Sequence, residues 1–235
     1  MDFTVSLLLS SGARVEQREL PLLAKCAPGE LQPVREPRAY KGQRNVPGYF
    51  WMSKLNRLVW YESRLEMVIL KQIDFDPLLI DVLPQPFVLH YRDAKGSASH
   101  TPDYLAWYRD GSRRVFNVKP AKFVHKPNNQ RAFAACAEAC RAINWQYSTQ
   151  AEPPPQYFAN LSWLAGYRRR PPHFETYASA IIEGIGAGTT IGSLLPDLGP
   201  PALVRPVLFY LMWVRQIDID MHSVLSDESS VRLAG

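Results

Sequence analysis

The spacing of apolar residues changes along the chain, and each change marks an element. From Leu55 to Ile73, Leu58, Leu65, Ile69 and Ile73 recur near one face at helical spacing, which predicts a helix. The motif DFDP at 74–77 ends it, because the residue before Pro77 is pushed out of helical geometry. Three runs then read as strands: PFVLHY at 86–91, DYLAWY at 103–108 and RRVFNVK at 113–119. The turn RDGS at 109–112 joins the last two as a hairpin. A helix from Asn129 to Ile143 comes next, and then a short strand, WQYS, at 145–148. Helix, three strands, helix and strand make an α/β core with a mixed central sheet flanked by helices.

The flanks differ in kind. Residues 1–50 are rich in Pro and turn formers, and predict a loosely structured N-terminal arm with at most one strand, basic toward its end. The core is assigned to 51–150. AEPPPQ at 151–156 marks a domain edge, so 151–172 reads as a Pro-rich linker followed by a basic helix, YFANLSWLAGYRRR. In 173–235, Tyr177, Ile181, Ile182 and Ile185 share a face before the loop GAGTT. Ile191, Leu194 and Leu195 suggest a second short helix capped by Thr189 or Thr190. Leu203, Val204, Val207, Leu208, Leu211 and Met212 make a third, whose regular part Pro206 confines to the residues after it. The extended runs IDID and SVRL complete a small helical, winged-helix-like interaction domain.

Composition narrows the class. The 235 residues are 46% hydrophobic and 21% charged, as folded globular proteins are. The first residues lack the basic region and cleavage site of a signal peptide, and no apolar run reaches the roughly 20 residues that span a bilayer. A soluble, cytoplasmic protein without membrane partners is expected. Cys136 and Cys140 share a helical stripe with Phe133, but no second ligand pair completes a zinc set, so they read as small buried hydrophobes.

The net charge of +5 is concentrated. Between Arg35 and Arg57 lie six Lys/Arg against Glu36 alone, with Tyr40, Tyr49, Phe50 and Trp51 among them. Between Arg109 and Arg131 lie seven against Asp110 alone, and Arg168, Arg169 and Arg170 add a third cluster. Basic patches interleaved with aromatics suit a phosphate backbone and stacked bases. Lys41, Arg44, Arg113, Lys122 and Lys126 are the candidate DNA contacts.

Candidate chemistry lies between Tyr61 and Pro120. Glu66 is an acidic residue on a helix side shared with Ile69 and Leu70, and a carboxylate turned to a core is costly unless a cation or hydrogen bonds meet it. Asp103 opens one strand of the hairpin, and Lys119 closes the other. By alternation Asn117 and Lys119 point to one face, and Phe116 and Val118 to the opposite one. Glu66, Asp103 and Lys119 together suit metal-assisted phosphodiester hydrolysis: carboxylate oxygens for Mg²⁺ (Mn²⁺ as substitute), and an ammonium to orient the attacking water and offset charge. The Val118 carbonyl is a further candidate ligand. Glu62 is the alternative helix ligand; Gln85 reads as a structural residue at a strand entry before it reads as one touching the site, and His100 as an exposed loop residue before it reads as a phosphate contact.

The ordered series ESRLE, DFDP, QPF, TPDY, a DG turn and VKP, with YKGQRNVPG upstream and ANLSWLAGYR downstream, resembles the TnsA-like endonuclease subunits of heteromeric transposases. These belong to the PD-(D/E)xK nuclease superfamily, and the similarity covers about residues 35 to 168. It implies a restriction-endonuclease-like core, Mg²⁺ or Mn²⁺, and cutting of double-stranded DNA at transposon ends beside a transposase subunit and an ATP-using regulator. Under it, Glu66 matches the helix carboxylate, Asp103 the PD aspartate and Lys119 the catalytic lysine. Asn117 stands as a metal ligand where the family usually has Glu, Asp or Gln. Two alternatives stay open: a stand-alone restriction or repair nuclease of the same superfamily, and a catalytically degenerate DNA-binding or assembly subunit in which Asn117 marks lost chemistry. No P-loop occurs, so ATP hydrolysis is not expected of this chain.

Overall fold

A computed structural model describes residues 1–35 and 45–234. Contacts divide the chain into two compact units, Met1–Ile73 with Leu78–Glu152, and Asp74–Pro77 with Pro153–Gly235.

The first unit holds β1 (Asp2–Leu9), β2 (Arg14–Glu19), α1 (Leu20–Ala24), β3 (Leu31–Gln32), β4 (Gly48–Met52), β5 (Arg57–Tyr61) and α2 (Arg64–Phe75) up to Ile73. It continues with β6 (Leu79–Pro84), β7 (Val88–Asp93), β8 (Gly96–His100), β9 (Tyr104–Tyr108), β10 (Arg113–Val118), α3 (Ala121–Val124), α4 (Pro127–Ala142) and β11 (Gln146–Gln150). One sheet runs β11-β10-β9-β6, with β10 and β11 parallel and the other pairs antiparallel. A second runs β2-β1-β7-β8, with β3 also on β1, and β4 and β5 form a separate hairpin. The unit is therefore mixed α/β.

The sheet containing β9 and β10 is covered on both faces. Tyr104, Ala106, Tyr108, Phe116 and Val118 pack with Ile69, Leu70 and Ile73 of α2 and with the β4–β5 hairpin. Leu105, Trp107 and Val115 pack with Ala135, Cys136, Ala139 and Cys140 of α4 and with Val5, Leu89 and Tyr91 of the other sheet. Two-sided burial explains why DYLAWY reads as a continuous apolar run. The three cysteines are free thiols in buried positions, Cys136 and Cys140 within this core, as small hydrophobes would be.

Two expectations need correction here, and one strand was not expected. Of the expected arm, residues 1–35 are not loose: β1 is a central strand, with Val5 and Leu7 in the core. Its polar neighbour β2 is exposed along nearly its whole length, and that hid the alternation of the pair. The helix expected from Leu55 begins only at Arg64, because Arg57–Tyr61 pairs with Gly48–Met52 as a hairpin turned through Asn56 at φ +51°. Val59 and Trp60 are β-branched and aromatic and favour the strand. The polar strand β8, GSASH, carried no hydrophobic signal.

The second unit contains α5 (Pro155–Leu164), α6 (Phe174–Glu183), α7 (Ile191–Leu194), α8 (Pro201–Trp213), β12 (Ile217–Asp218) and β13 (Arg232–Leu233). The segment read as a linker with a basic helix belongs to this unit's core, since Leu161 and Leu164 of α5 are buried with Ile181, Leu208 and Trp213. Thr190 caps α7 in a capping box with Ser193. Helix α8 runs through Pro206 and does not begin after it. The lost hydrogen bond is offset by burial of Val204, Val207, Leu208, Leu211 and Met212. Strands β12 and β13 pair antiparallel at the end of the chain. Among the described residues no helix is long and apolar enough to cross a membrane.

Asn160 fastens the segment after β12 to α5. Its buried amide donates to the carbonyls of Met221 (3.0 Å) and Ser223 (2.7 Å). Asn160→Ala leaves both acceptors without this donor, and urea unfolding is expected to show a loss of about 2–3 kcal/mol. A loss within error would mean that the Asn160 bonds do not hold this segment.

Candidate active site

The hairpin β9–β10 brings the sequence-predicted residues together at one end of its sheet. Tyr104 pairs with Phe116, and one residue earlier the chain bends at Asp103. The Asp103 N–H donates to the Phe116 carbonyl (3.0 Å), and its Oδ2 accepts from the Val118 N–H (2.6 Å). Those two bonds fix the carboxylate against the last residues of β10. Lys119 comes next, its N–H bonded to the Gln150 carbonyl (2.9 Å). The main-chain group of Val118 tied to Asp103 is the N–H, whereas the expectation concerned its carbonyl.

Glu66 arrives from α2. Ser63 precedes the helix, and its hydroxyl both accepts from the Glu66 N–H (3.3 Å) and donates to Glu66 Oε1 (2.8 Å). Glu66 Oε2 accepts from the Glu62 N–H (2.8 Å). This is capping chemistry, and it gives a 7%-exposed carboxylate the donors it needs. The motif S-x-x-E at 63–66 is the signal that would have placed the helix start correctly.

Electrostatics binds these residues into one group. Burial pushes the Glu66 carboxyl above its usual range, against its two hydrogen bonds, while Glu62 adds to the rise and Lys119 opposes it. Desolvation and then Glu66 push Asp103 up to about 7, with the Val118 N–H and Lys119 pulling the other way. Tyr104, buried beside both, has its phenol raised by burial and by the two carboxylates. Two carboxyls and one ammonium thus share a poorly solvated site.

Asn117 is engaged by other partners. It is fully buried, its Oδ1 accepts from His100 Nε2 (2.8 Å), and its Nδ2 donates to the Tyr147 hydroxyl (2.9 Å), which in turn meets Thr149 (2.9 Å). His100 is the last residue of β8, not an exposed loop residue; burial lowers its pKa against the Asn117 bond, with Lys119 and Arg35 lowering it further. Alternation along β10 holds as expected, with Phe116 and Val118 on the α2 side and Asn117 directed to His100 and Tyr147.

The candidate DNA contacts separate. Lys41 and Arg44 lie outside the described residues. Arg113 donates to the Ala24 carbonyl (2.9 Å) and lies over Trp145, which gives it a structural tie. Lys122 and Lys126 are exposed around α3 and lie over the Phe123 ring at 4.9 and 4.6 Å. Sequence reasoning counted Arg35 in a basic cluster without singling it out. Its Nε donates to Gln85 Oε1 (2.8 Å), and its guanidinium also pairs with Glu62 (2.9 Å).

The donor chemistry fits a hard divalent cation through two carboxylates. Glu66 raises the proton affinity of Asp103, and Asp103 Oδ1 makes no hydrogen bond among the described residues. Mg²⁺ needs only one or two carboxylates and otherwise keeps its waters. Asn117 does not contribute in this arrangement, and no cluster of three or more His, Cys, Asp or Glu suited to a metal occurs among the described residues. No protein-family model matches the chain, and no curated protein matches it.

The raised Asp103 pKa sets a pH dependence. The folded state binds this proton more tightly than the unfolded chain, whose pKa is near 3.8. Stability from this group is therefore greatest below about 4, falls as pH rises toward about 7, and is level above it. In metal-free buffer Asp103→Asn is expected to raise the melting temperature at pH 8, by about 2–4 °C per kcal/mol relieved, and to change little at pH 4. Equal melting temperatures at both pH values would mean that Asp103 ionises without strain.

Proposed function

We propose that this chain is a metal-dependent DNA endonuclease of the PD-(D/E)xK type, built on a restriction-endonuclease-like core. In this reading it is the cutting subunit of a heteromeric transposase, acting at transposon ends. The observation that carries the proposal is the meeting of three residues: Asp103 is bonded to the Val118 N–H (2.6 Å) directly before Lys119, and Glu66 and Lys119 both act on the Asp103 carboxyl. The order of motifs in the sequence supports the narrower, TnsA-like reading.

Glu66 and Asp103 would hold Mg²⁺ or Mn²⁺, which supplies an acidified water and stabilises charge on the phosphate when bound. Lys119 favours the ionised form of both carboxylates. Its Nζ, with three donors and no acceptor, is suited to orient the oxygen of an attacking water and to offset charge on the phosphate. In the metal-free protein burial and Glu66 push Asp103 up to about 7, so its carboxyl would give up its proton on binding a cation. Lys122 and Lys126 supply exposed charge for the DNA backbone.

The second unit is read as a winged-helix-like module that docks protein. Its Arg205, on α8, is paired with Asp227 (2.8 Å), and Asp218 lies just beyond the helix, which suits a protein partner better than a DNA groove. A transposase and an ATP-using regulator are the proposed partners, so cutting is expected to require them; cutting of plain duplex by the chain alone would favour a stand-alone nuclease.

One observation favours a second reading, a degenerate DNA-binding or assembly subunit. Asn117, at the position where an acidic ligand is usual in the resemblance, is held by His100 and Tyr147.

Mn²⁺ binding followed by electron paramagnetic resonance separates the two readings, because it needs neither a cognate site nor a partner. Wild type is expected to bind Mn²⁺ with Asp103→Ala losing at least tenfold in affinity, and Asp103→Ala and Lys119→Ala are each expected to abolish cleavage with unchanged circular dichroism. Equal Mn²⁺ binding by wild type and Asp103→Ala, or cleavage retained by either variant in a contaminant-free preparation, would overturn the nuclease assignment.

A further inference from the structure

We propose that Arg35 is a phosphodiester-binding residue of this site, held ready by Gln85 and shared between Glu62 and the DNA backbone. The inference rests on the nuclease reading and deepens it by adding a DNA contact at the carboxylate group.

The geometry around Gln85 is costly for a residue of purely local importance. Gln85 is 1% exposed and sits at φ +46°, in the left-handed region that a side chain of this size rarely adopts. Its main chain is locked on both sides, its N–H donating to the Asp103 carbonyl (2.9 Å) and its carbonyl accepting from the Val34 N–H (2.9 Å). The side-chain Oε1 accepts from Arg35 Nε at 2.8 Å, whereas the buried Nε2 has no partner. A strained backbone and an unsatisfied buried amide are both unfavourable. What they secure is the aim of an arginine whose side chain is 53% exposed. An ion pair so open to solvent adds little stability, so stability alone does not account for the arrangement.

The position of Arg35 is that of a ligand contact. Its other tie is to Glu62, whose N–H caps Glu66. Through Gln85 it is also two hydrogen bonds from the main chain of Asp103. Geometry brings Arg35 to the carboxylates through Glu62, with which it pairs at 2.9 Å and whose N–H donates to Glu66 Oε2 at 2.8 Å; Lys119 is the second cation, acting on Glu66 and Asp103. Guanidinium presents a planar fork that matches two phosphate oxygens. The Glu62 carboxylate mimics that anion: it engages Arg35 in the free protein and is exchanged for a phosphate when DNA arrives.

The test is binding of a short fluorescent duplex to the full chain in metal-free buffer at several salt concentrations. Arg35→Ala is expected to weaken binding about fivefold and to reduce the slope of log affinity against log salt by about 1. Arg35→Lys restores the slope but not the whole affinity, because it keeps charge and loses the fork. Glu62→Gln tightens binding more in the wild-type background than in Arg35→Ala, which a merely structural Arg35–Glu62 pair would not produce. Unchanged affinity and slope in Arg35→Ala, Arg35→Lys indistinguishable from Arg35→Ala, or an equal effect of Glu62→Gln in both backgrounds would overturn the proposal while leaving the nuclease reading intact. Wild type that binds no duplex at all would instead overturn the DNA reading, and this inference with it.

Discussion

Two carboxylates that cannot be well solvated are held at the end of one sheet, and much of the first unit is arranged around that cost. Glu66 is buried at the start of α2, and Asp103 sits where β9 begins, its proton affinity raised by burial and by Glu66. The structure answers with short-range donors: the N–H groups of Glu62 and Val118 and the hydroxyl of Ser63. It adds a single ammonium, Lys119, that acts on both. These donors moderate the repulsion without removing it, which leaves the site with a standing preference for positive charge.

Holding such a pair requires a scaffold that does not relax. The β9–β10 sheet is buried on both faces, with α2 contributing Ile69 and Leu70 to one side and α4 contributing Cys136 and Cys140 to the other. Glu66 is thus carried by a helix packed on the same strand, β9, that Asp103 precedes. A slip of one residue in β10 would exchange Phe116 and Val118 for Asn117 and break the Val118–Asp103 bond as well. Core register and site geometry are therefore the same constraint.

This also explains what was legible in the sequence. DYLAWY, RRVFNVK and the RDGS turn carry strong, local signals of strand and hairpin, and they place Asp103 and Lys119. Glu66 is visible as an acidic residue on an apolar helix side, though apolar spacing alone starts the helix too early and passes over the S-x-x-E cap. The N-terminal sheet was hidden for a different reason. β2 and β8 show mostly polar or small residues, and β1 finds its partners β7 and β3 far away in sequence, so periodicity had little to report. Arg35 was visible only as one cation of a basic cluster and Gln85 only as a strand-entry residue; their link lies in a left-handed backbone and in a hydrogen bond across 50 positions, which no local pattern encodes.

Asn117 shows how one substitution reads differently at the two levels. In the sequence it is a ligand with its charge missing. In the structure it is a fully buried amide joining His100 to Tyr147 and Thr149, with donors and acceptors matched along the chain. A carboxylate there could not donate to Tyr147 and would place a third negative charge near Glu66 and Asp103, which already hold their protons too tightly for carboxylates in water. Full burial at this position and a neutral side chain thus require each other. A divalent cation at this site would be held by two carboxylates, with a preserved neutral hydrogen-bond chain behind them. In the proposed nuclease, with two acids at the metal and not three, Lys119 and Arg35 would carry more of the attraction for a phosphate.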